Sequence, residues 1–443
     1  MLPRRVAARA RRGGCLRIVA LDVGSSSVRA VAYDEHGVAE PGDARLAYAQ
    51  FDADELVDAC RAVLAQVGEG DALAICCFWH SLVAVDSHDR ALTPVLTWRD
   101  LSGAAPALGA GDYHRRTGCF EHPAYWPAKI RRLQDEGVRA ARYLSFGDYL
   151  LLRLAGEART SSSTASGTGL FDPNRLDWDG ETLEALGVAR PQLPPVSDEL
   201  VAGAWPALGD GACSNVGAGC TTRDRAAVMI GTSAALRVVY AGSAAEPRPG
   251  IFLYRLDNHR FCEGGALSDG GNLHAWLART LRDATDAGLA ERAPAAHGLT
   301  FLPFLGGERS LGWNAERRGE IRGLSFATTA ADIAQAALEG VCYQLADVLD
   351  ALAGVESVVA TGGGLLANPD WAQILADVLG RTLEVSAVAE GSARGTAMIA
   401  LERLGLPVPP APVARTIEPR PGRHAIHLAA RAEHRKTMSE EST

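Results

Sequence analysis

The feature that most constrains this chain is a local pattern that occurs twice, near residue 22 and again near residue 231. LRIVALDVGSSSVRAVAYDEHG reads as strand, small-residue turn, strand, turn, because IVAL and VRAVAY are β-rich while GSSS favours a turn. AAVMIGTSAALRVVYAG, residues 226–242, has the same design. The first copy leads into DELVDACRAVLAQV, with apolar residues at helical spacing, and DALAICCFW, which reads as a buried strand. After the second come a long amphipathic helix, ADIAQAALEGVCYQLADVLDALAG, and the strand–glycine turn–helix series VESVVATGGGLLANPDWAQILADVLG. Strands alternating with helices predict an α/β class. The repeated opening predicts two similar halves, although the two strings are not a close repeat.

A length of 443 residues exceeds one ordinary core and fits two domains. The boundary is expected near 220–225, giving domains at 16–222 and 223–425. An Arg-rich, acid-free leader is expected to be disordered over 1–15; the chain after about 410 is rich in Pro, Arg and charge and is expected to end in a short helix and a frayed, flexible tail over 426–443.

Composition excludes several classes. The formal net charge of −9 argues against a nucleic-acid binder, which needs a basic face. The nine cysteines are irregularly spaced and form no CxxC pair, which speaks against a zinc ribbon or disulfide framework and for a reducing compartment. IVAL is too short for a secretory core, and no run approaches the ~18 apolar residues of a membrane span. A cytoplasmic protein is expected, acting on a small molecule without membrane or nucleic-acid partners. Its oligomeric state stays open, a homodimer being one option.

The chemistry is concentrated in the turns. In Asp22-Val-Gly24-Ser25-Ser26-Ser27, glycine lets a polyphosphate approach backbone N–H groups, and the hydroxyls supply further donors. An acid at the strand end suits Mg²⁺, which keeps much of its water. The same string also suits a plain hairpin turn. Ile230-Gly231-Thr232-Ser233 repeats the design, so phosphates gripped from both halves become the sharper reading. Thr361-Gly362-Gly363-Gly364 sits at a strand–helix junction, where a helix N-terminus assists phosphates. There is no Walker A string and no G-x-G-x-x-G opening a helix after a strand. Asp210, in GDGA between the halves, is the candidate carboxylate to take a proton from an alcohol. Asp224 in TTRDRAA is its nearest competitor. Trp79-His80-Ser81 and Trp98-Arg99-Asp100 both follow apolar strands and offer the planar polar and aromatic groups that sugars need.

These motifs resemble the FGGY family of carbohydrate kinases, part of the superfamily that includes actin and hexokinase. LDVGSSSVRA is similar to the first phosphate motif and IGTSAALR to the second. ATGGGLLANPDWAQILADVLGRTLEV with EGSARGTAMIALERLG resembles the adenosine motif and its following helix. The likeness runs from about Arg17 to about Gly405. It implies two ribonuclease-H-like α/β domains with an interdomain cleft, ATP mainly on the second and sugar mainly on the first. It implies that Asp22 organises Mg²⁺–ATP and that Gly24, Ser25, Ser26, Ser27, Gly231, Thr232 and Ser233 lie at the phosphates. Gly362, Gly363, Gly364 and Asn368 would lie along the nucleotide, with Asp210 as base and, beside Asp22, on the metal side.

Within the family, TWRD, RRTGCFEHPAYWPAKI, SSTASGTGLFD and FLPFLGGERSLGWN are most similar to gluconate kinases. That adds His80, Ser81, Trp98, Asp100 and Lys129 as substrate-side residues and D-gluconate as acceptor. Two departures stand out. The connection from LPPVSDE to WPALGD is shorter than the family usually shows, and Asp269 stands where the subfamily often has asparagine. Rival readings are a kinase for another polyol or ketose, such as xylulose or glycerol, and a catalytically silent sugar- or nucleotide-binding regulator.

Overall fold

The computed structural model describes residues 16–282 and 288–440; the expected leader and the last three residues lie outside them. Its first sheet holds β1 (Ile18–Val23), β2 (Ser27–Tyr33), β3 (Ala44–Ala47), β4 (Ala72–Cys77) and β5 (Leu208–Gly209), in the spatial order β3-β2-β1-β4-β5. β1 pairs antiparallel with β2, which places Asp22 opposite Arg29, and parallel with β4, which places Asp22 beside Cys76. All six β1 residues, IVALDV, are buried, as a central strand covered on both faces requires. One cover is the helix α1 (Ala53–Val67), whose N-terminus Asp52 caps by accepting from the amides of Asp54 and Glu55.

The second sheet repeats this plan. It comprises β6 (Arg225–Ile230), β7 (Ala234–Ala241), β8 (Phe252–Asp257), β9 (Arg260–Leu267), β10 (Ser357–Thr361), β11 (Leu383–Ser386) and β12 (Val413–Ile417), in the order β8-β9-β7-β6-β10-β11-β12. Again the leading strand turns back antiparallel into its successor and pairs parallel with a later strand, placing Met229 beside Thr361. Both sheets therefore have the ribonuclease-H-like arrangement expected from the actin and hexokinase class. The last strand of the first sheet ends at Gly209 and the first strand of the second begins at Arg225.

The helices that matter next are α2 (Trp126–Asp135), α3 (Asp210–Gly217), α4 (Ala330–Leu352), α5 (Pro369–Leu379), α6 (Gly391–Arg403) and α7 (Pro421–Glu440). α4 begins with a capping box between Thr329 and Asp332. α3 and α6 cross at glycines. A Cβ on Gly217 would come within 1.9 Å of the Gly391 carbonyl, and one on Gly395 within 1.8 Å of the Cys213 carbonyl. This contact ties α3, which begins with Asp210, to the second half of the chain.

One expectation needs correction. The tail expected to be flexible over 426–443 is, to Glu440, part of the packed helix α7. Arg431 and Arg435 both donate to Asp347 and to Asp350 on α4, while His427 and His434 are buried. The charge density that reads as a solvated tail instead builds a carboxylate–guanidinium lattice. Eight cysteines, all but Cys15, are unpaired and buried. Among the described residues no helix is long and apolar enough to cross a membrane.

Candidate active site

Three turns meet in one cleft. The first corner, between β1 and β2, closes with the Gly24 amide donating to the Ser27 carbonyl at 3.0 Å. The second, between β6 and β7, closes from the Gly231 amide to the Ser233 carbonyl at 2.9 Å. The third follows β10. There Gly362 sits at φ +90°, and a Cβ on it would lie 2.5 Å from the Ile230 carbonyl. Only glycine lets the third corner rest against the backbone of the second. The walls of the cleft they border include Asp22, Gly24, Ser25, Ser26, Ser27, Gly231, Thr232, Gly362 and Gly363.

Asp210 lies on the same wall, at the start of α3, with its Oδ1 accepting from the Gly211 amide at 2.8 Å. The sequence around it follows from Trp79, whose indole lies across the strand end. A Cβ on Gly209 or Gly211 would come within 1.9 or 2.7 Å of that ring. The shortened connection still delivers β5 to its place, with Cys77 paired to Gly209. Asp224, the competing acid, lies at an exposed turn where its carbonyl accepts from Glu356 and Ser357.

A second, inner cavity opens from the same point. Trp79, His80, Trp98, Phe252, Tyr254, Arg237 and Arg309 line it, together with Ser25, Thr232, Ser233 and Asp210. Ser25, Asp210, Met229, Thr232 and Arg237 belong to both cavities, so Asp210 stands at the junction.

The charges at this junction perturb each other. Burial raises the Asp210 carboxyl above its ordinary 3.8, opposed chiefly by the Arg237 guanidinium. Burial, and then the neighbouring Asp210, push Asp22 up to about 7, while Arg29 at 3.6 Å offsets part of the rise. Arg29 is shared with Glu390, with which it makes a short contact. Two neighbouring carboxylates, of which Asp210 raises the proton affinity of the buried Asp22, with one partly engaged arginine near Asp22, are a donor set that fits a hard divalent cation. Asp22 and Asp210 are the residues that would face Mg²⁺.

The other substrate-side residues separate into two groups. His80 and Trp98 reach the inner cavity. Ser81 does not: it is buried, its Oγ accepting from the Phe146 amide and its carbonyl from the Trp126 indole. Asp100 pairs with Arg132 on α2 at 2.8 Å and with Ser102, away from the cavity wall. Lys129 is buried on α2, its Nζ donating to the His80 carbonyl at 2.5 Å, and burial lowers its ammonium to about 7. None of these three reaches the cavity wall: Ser81 is captured by a backbone amide, Asp100 by a counter-ion and Lys129 by the His80 carbonyl. On the nucleotide side, Asn368 is an N-cap, its Oδ1 accepting from the Trp371 amide at 3.0 Å. Gly364 packs beneath the second corner, 3.0 Å from the Ile230 carbonyl by its would-be Cβ. Neither Asn368 nor Gly364 forms part of the cleft wall.

Sequence reasoning missed Arg237 and Arg309. Arg237 lies at the end of IGTSAALR, where the glycine and hydroxyls rather than the arginine point to phosphates. Arg309 lies in FLPFLGGERSLGWN, where the pair Glu-Arg looks like an ordinary surface ion pair. In the structure Glu308 pairs with Arg317 instead.

Comparison with known proteins agrees with this arrangement. Residues 17–202 match the N-terminal domain of the FGGY family of carbohydrate kinases, and residues 226–402 match its C-terminal domain. The chain is 26% identical over 449 residues to a gluconokinase of Bacillus subtilis, covering 88% of each. It is 30% identical over 461 residues to a glycerol kinase of Methylobacterium nodulans, covering 88% of this chain and 90% of that one. Among solved structures, a gluconate kinase from Lactobacillus acidophilus superposes with a TM-score of 0.87 at 24% identity, covering 96% of this chain and 98% of that one. With two domains matched in order and one cleft between two sheets of a single plan, the chain belongs to the FGGY family of carbohydrate kinases.

Proposed function

We propose that this kinase transfers the γ-phosphoryl group of ATP to a primary hydroxyl of a sugar acid, with D-gluconate as acceptor and 6-phosphogluconate as product. The observation that carries this reading is the position of Asp210 on the wall common to both cavities. The corners of Gly24, Thr232 and Gly363 lie on one side of it, and the aromatic, arginine-lined cavity lies on the other.

The nucleotide's phosphates occupy the outer cleft, held by backbone N–H groups and hydroxyls of the first two corners. The acceptor lies in the inner cavity against Trp79, His80 and Trp98. Asp210 accepts the proton of the attacking hydroxyl as its oxygen bonds to the γ-phosphorus and the bond to ADP breaks. Arg237, on the same wall, balances the charge developing on the transferred phosphoryl. Mg²⁺, when bound beside Asp22 and Asp210, would neutralise phosphate oxygens. Positioning and charge supply most of the acceleration.

The test is an ATP-coupled assay of the purified chain with D-gluconate, D-xylulose and glycerol, alongside Asp210→Asn. D-gluconate is expected to give the highest kcat/KM. Asp210→Asn is expected to retain nucleotide binding and to lose turnover by ~10²–10⁴-fold, the usual worth of a placed base. Turnover within a few-fold of wild type would reject Asp210 as the base. A neutral polyol or ketose as best acceptor would move the function to the rival sugar kinases. Nucleotide binding without transfer to any acceptor would make the chain a silent regulator.

A further inference from the structure

Two guanidinium groups face the inner cavity with no carboxylate in ion-pair contact, although the Asp210 carboxylate acts on both from the shared wall. Arg237 and Arg309 are each only 8% exposed, and among the described residues neither is in an ion pair. The Nε of each is buried and unpartnered. A buried cation without a counter-ion is costly, so such a group commonly awaits an anion from outside. Arg237 already has a task, since it lies on the wall shared with the phosphate cleft and opposes the charge of Asp210. Arg309 has none: it lines the inner cavity but not the phosphate cleft.

Arg309 is also held as a recognition group. Its guanidinium lies within cation–π range of two indoles, 5.4 Å from the Trp98 ring centre and 5.9 Å from that of Trp313. Its Nη2 donates to His80 Nε2 at 3.4 Å. That assignment follows from the other side of the ring, where His80 Nδ1 lies 2.6 Å from the Gly167 carbonyl and so must carry the proton. His80 is itself fixed, with φ +66° and the Lys129 ammonium on its carbonyl. A further cavity shares Trp98 and Arg309 with the inner one, and Arg99 and Arg318 add positive charge there against Glu316.

We propose that Arg309 is the specificity-determining residue of the acceptor site and binds the carboxylate of an aldonic acid, with neutral His80 and the two indoles as its positioning residues. The proposal rests on the reading of the inner cavity as the acceptor site. A flat guanidinium near two indole rings leaves an edge that matches a planar carboxylate. It excludes uncharged polyols indirectly, because they would leave the buried cation unpaired.

The experiment measures acceptor binding without nucleotide, so that it does not depend on turnover. Tryptophan fluorescence and calorimetry on the full chain compare D-gluconate, the hexitol of the same length, and a hexitol phosphate. In wild type the aldonate is expected to bind about 10- to 100-fold more tightly than the hexitol, the range for a charged hydrogen-bond pair. In Arg309→Gln that ratio falls to near one, and Arg309→Lys restores part of it. Equal binding of aldonate and hexitol to wild type overturns the proposal even if the variants fail to fold. A ratio unchanged in a folded Arg309→Gln also overturns it, and so does tightest binding by the hexitol phosphate. Aldonate selectivity that depends on Arg309, in an enzyme that phosphorylates nothing, would sink the kinase mechanism and leave this assignment standing.

Discussion

The first two corners share a backbone plan but not their charge. In both, a central strand turns back through a glycine and two hydroxyl residues, and the residue two before the glycine pairs with a parallel neighbour. In the first corner that residue is Asp22, beside Cys76; in the second it is Met229, beside Thr361. The first also places Arg29 opposite the acid and brings Glu390 to it from the other half. Topology therefore supplies the shape of the grip twice, and a single side chain decides which corner is charged.

Asp22→Asn should break this asymmetry with the largest effect, a loss of turnover of about 10²- to 10³-fold under saturating ATP, the scale for one electrostatic group aimed at transferring charge. Its stability should change as well. Asp22 is raised from 3.8 to about 7 by folding, so its contribution to apo stability is full below about pH 4 and is lost as pH rises towards 7. Thermal melts of the apo enzyme should show that decline in wild type and a flatter profile in Asp22→Asn. Identical profiles would mean that the acid is not buried as described.

Gly362→Ala tests whether the third corner must touch the second. The positive φ and the Ile230 carbonyl at 2.5 Å should cost about 2 kcal/mol, read as a lower denaturation midpoint, with weaker nucleotide binding. An alanine enzyme of wild-type stability would separate the two corners.

Thr232→Val removes one hydroxyl from the uncharged corner. The KM for ATP should rise about 10-fold with kcat less affected, as expected for one hydrogen bond to a charged oxygen. Met229→Leu should be mildest, below about 1.5 kcal/mol in any stability or kinetic term, because it conserves volume at a site with no charge role. A loss comparable to that of Asp22→Asn would erase the contrast between the corners.

The pH profile supplies a last check. Asp210 must be deprotonated to act, and its carboxyl is raised above 3.8, so kcat/KM should climb with pH through a correspondingly raised acid limb. An acid limb at or below 3.8 would contradict its burial.

Much of this site was legible in the string because its parts are local. A turn of Gly24 and Ser25, a strand IVALDV and a triple glycine after VESVVA each fold as neighbouring residues dictate, and their types announce phosphates. Distinguishing His80 and Trp98 from Ser81, Asp100 and Lys129 was not local. All five sit near strand or helix ends with suitable chemistry, yet Asp100 is drawn to Arg132 and Lys129 to the His80 carbonyl, and no spacing rule contains those contacts. Arg309 was invisible for the converse reason: its value lies in what does not pair with it.

The amino-acid order by itself thus determined the two-halved α/β plan, the three corners and the acid between them, since periodicity and turn chemistry act over a few residues. Only the tertiary structure decided that the corners share one cleft, that the charged tail packs as α7, and that Arg309 is left without a carboxylate contact beside the inner cavity. Those outcomes depend on which groups meet across long stretches of chain, where burial and partnership, rather than residue type, set the energy of a charge.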